Sequence, residues 1–432
     1  MDWGWDNARA LLGIALIIGI AWAVSENRKK FPWKIALGAV GIQFVFALIL
    51  FGVPVIRDGL FAANNVVDSL IAATAAGTGF VFGPMLGTQA GWEAVAGQPG
   101  PIFALHLLPL IIVVAALSAI LWHWRILRWV TKGFASIFKR FLGLGGSTSL
   151  AVSANVFMGM TEAPILIKPY IKSMTRSEVF ILMTAGFATV AGSVLVLYGA
   201  LLRDVLPNAL GQLLAASLIA APAAVALALI MVPETSDAKK EVDEPSFEYE
   251  STMDAFATGA SDGLKILANI VTMLIAALAL LYLVNAMLGA IPVDIGLDEN
   301  GEPGRLSIEL ILGWIFSPLM YMIGVPMSEA AQSGSLMGIK TVLTEFIAFS
   351  ELSNVPADEM TARTRMITAH AICGFANFGS IGILIGGLSI IEPERRTTFL
   401  ELAWKTLLAG TLATCMSGAI VGALPAALFF GS

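Results

Sequence analysis

Eight runs of predominantly apolar residues divide this chain of 432 residues, near 10–24, 35–56, 102–122, 179–202, 206–232, 264–291, 367–391 and 399–430. A hydrocarbon core about 30 Å thick is crossed by about 20 helical residues. Lipid offers no partner to a free N–H or C=O, so segments of this kind are restricted to helices. The expected class is an all-α polytopic membrane protein with eight transmembrane helices. Composition agrees, because 57% of the residues are apolar and only 13% charged, against about a quarter charged in soluble domains. That argues against a soluble enzyme. The formal charge of −6, from 25 basic and 31 acidic residues, provides no basic surface for phosphates, and no nucleic-acid partner is expected. Cys373 and Cys415 lie in apolar runs and cannot build a disulfide framework or a multi-cysteine metal site. His106, His123 and His370 are too scattered for a helical two-histidine zinc motif.

The first run opens with Trp3, Trp5 and Arg9 and reads as a retained span, because neither a small-residue cleavage site nor a soluble mature domain follows it. The stretch from Ile56 to Ala90 is interrupted by Arg57, Asp58, Asn64, Asn65 and Asp68, which fits an amphipathic helix lying in the interface. Basic residues set the orientation. Arg28, Lys29, Lys30 and Lys34 follow the first span, and Arg125, Arg128, Lys132, Lys139 and Arg140 follow the third. Lys168, Lys172 and Arg176 precede the fourth, and Arg395 and Arg396 precede the eighth. Placing these inside puts both termini on the outer side of the cell (inner) membrane; only Arg363 and Arg365 run against the bias. The polar segment 233–254 then falls inside as a cytoplasmic linker. It separates a scaffold of N-terminal spans and interfacial helix (1–101) and a first repeat (102–232) from a second repeat (255–432).

Two stretches fit neither spans nor ordinary loops, Phe134 to Thr175 (134–175) and Leu306 to Leu352 (306–352). Each is broken by small and polar residues beside a proline, at Asn155 to Pro164 in the first and Gly324 to Ser335 in the second. The arms of about 12–20 residues would rise roughly 18–30 Å, enough to reach mid-membrane and return. That is the pattern of a re-entrant helical hairpin. The two enter from opposite sides, and each lies after one span and before two others, which makes an inverted repeat. Folds of this kind place substrate and coupling ion at discontinuous helices near the midplane, and the reading is a secondary active transporter rather than an enzyme. Glu162, Glu345, Asn155, Thr161, Asn377 and Ser380 all sit in apolar surroundings, where a carboxylate is functional by default. Lys340, expected about one turn from Glu345 on the same helix, is the only cation near them, so a neutral polar substrate with a cation fits better than an anion.

Plainer roles compete with these. The glutamates could cap helices, Asn377 and Ser380 could join neighbouring helices, and Thr189 could bond its own helix. Met160 and Phe375 could simply pack, and His370 could be satisfied by a neighbour.

Four runs carry a resemblance to the concentrative nucleoside transporters, from about residue 100 to the end. They are GMTEAPILIKPYI (159–171), FATVAGSV (187–194), GIKTVLTEFIAF (338–349) and AICGFANFGSIGILIGGL (371–388). The resemblance implies a homotrimer that imports a nucleoside by an elevator-type alternating-access motion. It implies that Glu345, Asn377 and Ser380 hold the ribose hydroxyls beside Phe375. Met160, Thr161 and Glu162, following Gly159, would face the base, and Val194 would form an apolar wall. A sodium ion, the expected coupling ion and the only cofactor-like group, would be bound by the Asn155 side chain, the Thr189 hydroxyl and carbonyls near Met158 and Val190. This is an all-oxygen set of the kind hard cations require. The chain departs from the pattern at Met160, where the family usually has Gln, and at Thr344, where it has Asn. A thioether cannot replace the hydrogen bonds of an amide, which in a buried site are worth about 1–3 kcal/mol. The alternative function is a proton-coupled nucleoside transporter or a carrier of another neutral polar metabolite.

Overall fold

The computed structural model describes residues 3–96, 102–160, 162–235, 248–291 and 305–430. The described residues are helical throughout, joined by turns and short irregular segments. Among the described residues, seven helices are long and apolar enough to cross a membrane: Trp5–Ala23, Trp33–Gly52, Phe103–His123, Arg176–Leu202, Ala209–Met231, Thr252–Gly289 and Pro393–Ala423. The expected seventh span, 367–391, is instead two helices, Ala362–Ile372 and Phe378–Ile391, of 11 and 14 residues. The break lies in the segment that ends at Asn377, whose side-chain oxygen accepts from the Ser380 amide and starts the second helix. The helix Arg176–Leu202 is also interrupted, since Thr189 is extended and Gly192–Leu202 begins afresh after Ala191.

The two breaks meet. A Cβ on Gly374 would stand 2.8 Å from the Phe187 carbonyl oxygen and 2.6 Å from Thr414 Cγ2, so only glycine allows this approach of one interrupted helix to the other. The segment Ile56 to Ala90 begins in a helix of 29 residues, Pro54–Phe82, started by Pro54 and stopped by Gly83 at φ +80°.

Both stretches expected to form hairpins contain more helices than two arms. In the first, the amphipathic helix Ile126–Leu142 stops at Gly143, whose φ is 64°. It is followed by Gly146–Asn155, an irregular tip, and the short helices Ala163–Leu166 and Lys168–Ile171. The interruption falls within the expected 155–164. In the second, Ile308–Met322 turns at Gly324, φ 109°, into Met327–Val342, which runs through the polar residues expected to break it. The break that reaches the interior lies at Leu343 and Thr344, before Glu345–Asn354. The reason is amphipathicity: Met327, Ser328 and Ala331 are exposed, whereas Ala330, Ser333, Gly334, Leu336 and Met337 are buried at helical spacing. Lys340 and Glu345 therefore belong to different helices, correcting the expectation that they share one.

The helical order of the first half, from Phe103–His123 to Ala209–Met231, recurs from Thr252–Gly289 to Arg396–Ala423. In each half an outer helix ends near a glycine of positive φ, two shorter elements meet at an irregular tip, and a broken helix and an unbroken one follow. Ala209–Met231 is almost wholly buried and packs against Trp33–Gly52, Arg176–Ala188 and Arg396–Ala423. Thr252–Gly289 touches the remainder more sparingly, burying Ala255, Gly259 and Gly263 on the side that meets Leu110–His123.

Polar contacts at the helix ends agree with the grouping of basic residues. Arg176 donates to Glu26 at 3.2 Å and Glu401 at 2.6 Å, Lys405 to Glu26 at 2.6 Å, and Lys172 pairs with Glu394 at 2.7 Å. Partial burial would raise the Glu26 carboxyl, but the bonds from Lys405 and Arg176 outweigh it and hold the group below its ordinary range. Arg363 and Arg365, the two residues that ran against the charge bias, serve helix ends instead. Arg363 donates to the Gly324 carbonyl at 2.7 Å, and Arg365 to those of Val355 at 2.8 Å and Met360 at 3.1 Å. Of the segment 233–254, residues 236–247 lie outside the described residues; near its end Glu248 pairs with Arg128 at 2.7 Å.

The close packing of Ile308–Met322 on Met327–Val342 depends on small residues. A Cβ on Gly334 would lie 2.7 Å from the Ser317 amide nitrogen and 2.8 Å from the Gly313 carbonyl oxygen. Neither backbone atom can yield without moving a helix. Gly334→Ala is expected to cost about 1–3 kcal/mol, as overpacking does. It should lower the midpoint of thermal unfolding in detergent, whereas Gly41→Ala, with nothing within 4 Å, should leave it unchanged or raise it.

Candidate functional site

The helix breaks and the two irregular tips enclose a cavity of about 190 Å³. Its polar centre is Glu345, first residue of the helix Glu345–Asn354 and 5% exposed. Thr344 caps that helix, its hydroxyl accepting from the Ile347 amide at 3.3 Å. The family's usual Asn is thus replaced by another good capping residue, and the helix start that aims Glu345 is preserved. Glu345 Oε1 accepts from the Tyr198 hydroxyl at 2.8 Å and Oε2 from Asn377 Nδ2 at 2.9 Å. Asn377 serves two ends at once, since its Oδ1 accepts from the Ser380 amide at 2.8 Å. The positive end of Glu345's own helix lies beside its carboxylate, a favourable arrangement.

Across the cavity, the Glu162 side chain folds back on its own tip, Oε2 accepting from the Gly159 amide at 3.1 Å. Gly159, Met160, Glu162, Val194, Glu345, Phe375, Asn377 and Ser380 all line the same space, so the residues singled out from four separate runs converge. Thr161 lies outside the described residues. Met160 is buried, with room made by Gly186, where a Cβ would stand 2.8 Å from Met160 Cβ. Ile266, Asn269, Ile270 and Met273 close another side from the long helix Thr252–Gly289. Two polar contributors were missed in the sequence, Tyr198 and Asn269. Tyr198 follows Val194 by four residues and so shares its helical face, while Asn269 is a lone amide in an apolar span; spacing and isolation were the available signals.

Lys340 does not line this cavity; it is fully buried, and its ammonium donates to the Thr414 hydroxyl at 3.4 Å. The cavity thus presents two carboxylates, two amides and hydroxyls, a polar set for a neutral, hydrogen-bond-rich ligand. His370 stands 3.0 Å from the Met366 carbonyl through Nδ1 and lies away from the cavity lining.

Asn155 ends the helix Gly146–Asn155 beside the break in Arg176–Leu202. Its main-chain carbonyl accepts from the Thr189 hydroxyl at 2.8 Å, and its Nδ2 donates to the Ala151 carbonyl at 3.1 Å. Its Oδ1 is buried with no hydrogen-bond partner among the described residues. An orphaned side-chain oxygen on a residue whose main-chain carbonyl already meets a threonine hydroxyl is the environment a hard cation would complete. Val190, next in the break, has its amide held by the Ser217 hydroxyl at 3.2 Å, and Met158 lies half-buried in the adjoining tip. The structure therefore brings Asn155 and Thr189 into contact, with Met158 and Val190 flanking them in sequence.

Comparison with known proteins agrees with this geometry. The family described as Na+ dependent nucleoside transporter C-terminus matches residues 212–422, its N-terminal counterpart matches 12–85, and a family described as nucleoside recognition matches 104–204. Nucleoside permease NupC of Helicobacter pylori is 33% identical over 417 residues, with 96% of each chain covered. Sodium/nucleoside cotransporter 1 of Rattus norvegicus is 32% identical over 95% of this chain and 63% of its own length. The structure of CNTnw in an inward-facing substrate-bound state superposes with a TM-score of 0.87 at 37% identity, covering 98% of this chain and 99% of that one. A variant of CNTnw in an outward-facing state gives 0.88 at 36% identity. With a polar cavity built by interrupted helices in an all-helical membrane protein, the chain belongs to the concentrative nucleoside transporter family and is a cation-coupled nucleoside transporter.

Proposed function

We propose that this protein imports nucleosides by sodium symport, as a homotrimer in the cell (inner) membrane whose transport domain moves in an elevator-type alternation against a scaffold. The observation that carries the coupling ion is Asn155 Oδ1, buried and without a hydrogen-bond partner among the described residues, on the residue whose main-chain carbonyl accepts from the Thr189 hydroxyl. Sodium there would take the Asn155 and Thr189 oxygens with carbonyls near Met158 and Val190. It would tie the tip that carries Gly159, Met160, Thr161 and Glu162 to the helix that carries Val194, so that occupancy of the ion organises one wall of the cavity. The opposite wall, Glu345 with Asn377, Ser380 and Phe375, would receive the ribose, its hydroxyls donating to the carboxylate.

This reading assigns eight crossings, counting the interrupted pair Ala362–Ile372 and Phe378–Ile391 as one. It treats the two tip-bearing segments as opposed re-entrant hairpins within an inverted repeat, and Pro54–Phe82 as interfacial. The recurring helical order supports the repeat, and the clustering of Glu26, Arg176, Glu401 and Lys405 supports a shared cytoplasmic face with both termini outside. Family membership supports the trimer and the elevator motion.

Uptake of labelled uridine and adenosine into proteoliposomes tests the proposal. Accumulation above equilibrium is expected under an inward sodium gradient and not under a proton gradient alone. A proton-only response would keep the substrate and replace the ion; no accumulation under either gradient by folded protein would redirect the search to other neutral polar metabolites. Asn155→Ala should raise the sodium concentration for half-maximal uptake about tenfold, the scale of one lost buried polar contact, and an unchanged sodium dependence would remove Asn155 from the ion site. Met160→Gln should alter the ranking of uridine, cytidine and adenosine in competition by about tenfold or more, with little effect if residue 160 does not face the base.

A further inference from the structure

Glu345 presents itself to the cavity with one hydrogen bond already on each carboxylate oxygen. The donors come from two other helices: the Tyr198 hydroxyl from Gly192–Leu202, at 2.8 Å from Oε1, and Asn377 Nδ2 from the start of Phe378–Ile391, at 2.9 Å from Oε2. Tyr198 is 1% exposed, and its ring packs against Phe349 and Phe346 with centroids 4.8 and 6.0 Å away. Packed in this way, the hydroxyl is a fixed point. The terminal torsion of a glutamate is broad and two-fold, so nothing intrinsic to Glu345 sets the plane of its carboxylate. Thr344 fixes only where the side chain begins.

An ionised carboxylate has about four acceptor directions, two on each oxygen. With Tyr198 and Asn377 each occupying one and the residue's own amide close by, at most one further direction remains on each oxygen, and both are held in one plane. Two acceptors at a fixed separation suit a pair of hydroxyls on adjacent carbons. Asn377 is additionally committed to the Ser380 amide, so its position is set by the helix it caps. Tyr198 has this one polar contact at the site, and removal of its oxygen would free Oε1 without disturbing a helix start.

We propose that Tyr198 is a positioning residue for sugar selectivity: by holding the Glu345 carboxylate plane, it sets how strongly the site prefers a vicinal diol over a sugar lacking one hydroxyl. The inference rests on Glu345 being the ribose acceptor. Without the phenol oxygen, the carboxylate can rotate or take up water at Oε1, and one of its two contacts to the diol is weakened. A sugar that makes only one such contact loses less.

Inhibition of labelled-uridine uptake by uridine, 2′-deoxyuridine and 3′-deoxyuridine, measured for wild type, Tyr198→Phe and Glu345→Gln, tests this. Phenylalanine keeps the ring against Phe349, and thermal unfolding in detergent checks that the variant is folded. Where a variant binds but does not transport, equilibrium binding of the same three compounds supplies the ratio. Wild type is expected to favour uridine over at least one deoxy analogue, and Tyr198→Phe should shrink that preference by up to about tenfold, the scale of one hydrogen bond to a charged group. A purely structural role would weaken all three compounds together and leave the ratio intact; that result, or a wild type with no preference, overturns the proposal. If Glu345→Gln abolishes the preference while Tyr198→Phe retains it, the role of Tyr198 alone is wrong. If Glu345→Gln also retains it, the assignment of Glu345 to the ribose falls.

Discussion

A helix interrupted inside an apolar environment leaves peptide groups that lipid cannot satisfy, at a cost of several kcal/mol each. The architecture of this protein follows from how those groups are covered. Asn377 caps the second half of one broken helix, Thr344 caps the short helix bearing Glu345, and the Thr189 hydroxyl spans to the Asn155 carbonyl at the other break. The Gly192 amide donates to the Phe157 carbonyl at 3.0 Å, joining the first tip to the same break. Each cap lies beside a residue that lines the cavity. The interruptions and the binding chemistry are thus one construction, because a helix end provides both a place for polar side chains and an oriented partial charge.

The cavity divides into two chemical regions. Around Glu345 both carboxylate oxygens are hydrogen-bonded from other helices, by Tyr198 and Asn377, which suits recognition of sugar hydroxyls common to all nucleosides. Around Met160 the lining is softer, with a thioether where the family usually places an amide. A methionine there adapts in shape but offers no strong hydrogen bond to a base edge. Such a division would make the sugar the general requirement and the base the variable one. Lys340 shows how far sequence distance can mislead in this respect: it stands five residues before Glu345 yet bonds Thr414, with the Leu343 and Thr344 break between them.

Much of this was legible beforehand. Long apolar runs identify membrane helices because length and hydropathy alone decide the matter, and seven of the eight expected spans are helices of sufficient length. The remaining one, the seventh in chain order, was read as continuous because Cys373, Gly374, Phe375 and Ala376 carry no polar warning; the break is stabilised by contacts to Phe187 and Thr414, which are remote in sequence. The first tip was located within its expected bounds, since Asn155 to Pro164 combines small, polar and cyclic residues. The second opens at Gly324, within its expected bounds, but Ser328, Glu329 and Gln332, which look like part of the break, form one wetter face of a regular helix, and the further break at Leu343 and Thr344 was missed.

The sequence by itself determined the membrane class, the helical content, the family and the residues Glu162, Glu345, Asn377, Ser380 and Asn155 as the polar groups of interest. These are properties of composition, periodicity and short motifs, which act over a turn or two of chain. Only the tertiary structure decided that Tyr198 holds Glu345, that Lys340 does not, that Asn155 Oδ1 is left without a partner among the described residues, and that Asn269 faces the cavity from the long helix. Those facts depend on which helix faces meet across tens to more than a hundred residues of chain, and packing of that range is set by the whole set of close glycine contacts and buried faces rather than by any local pattern.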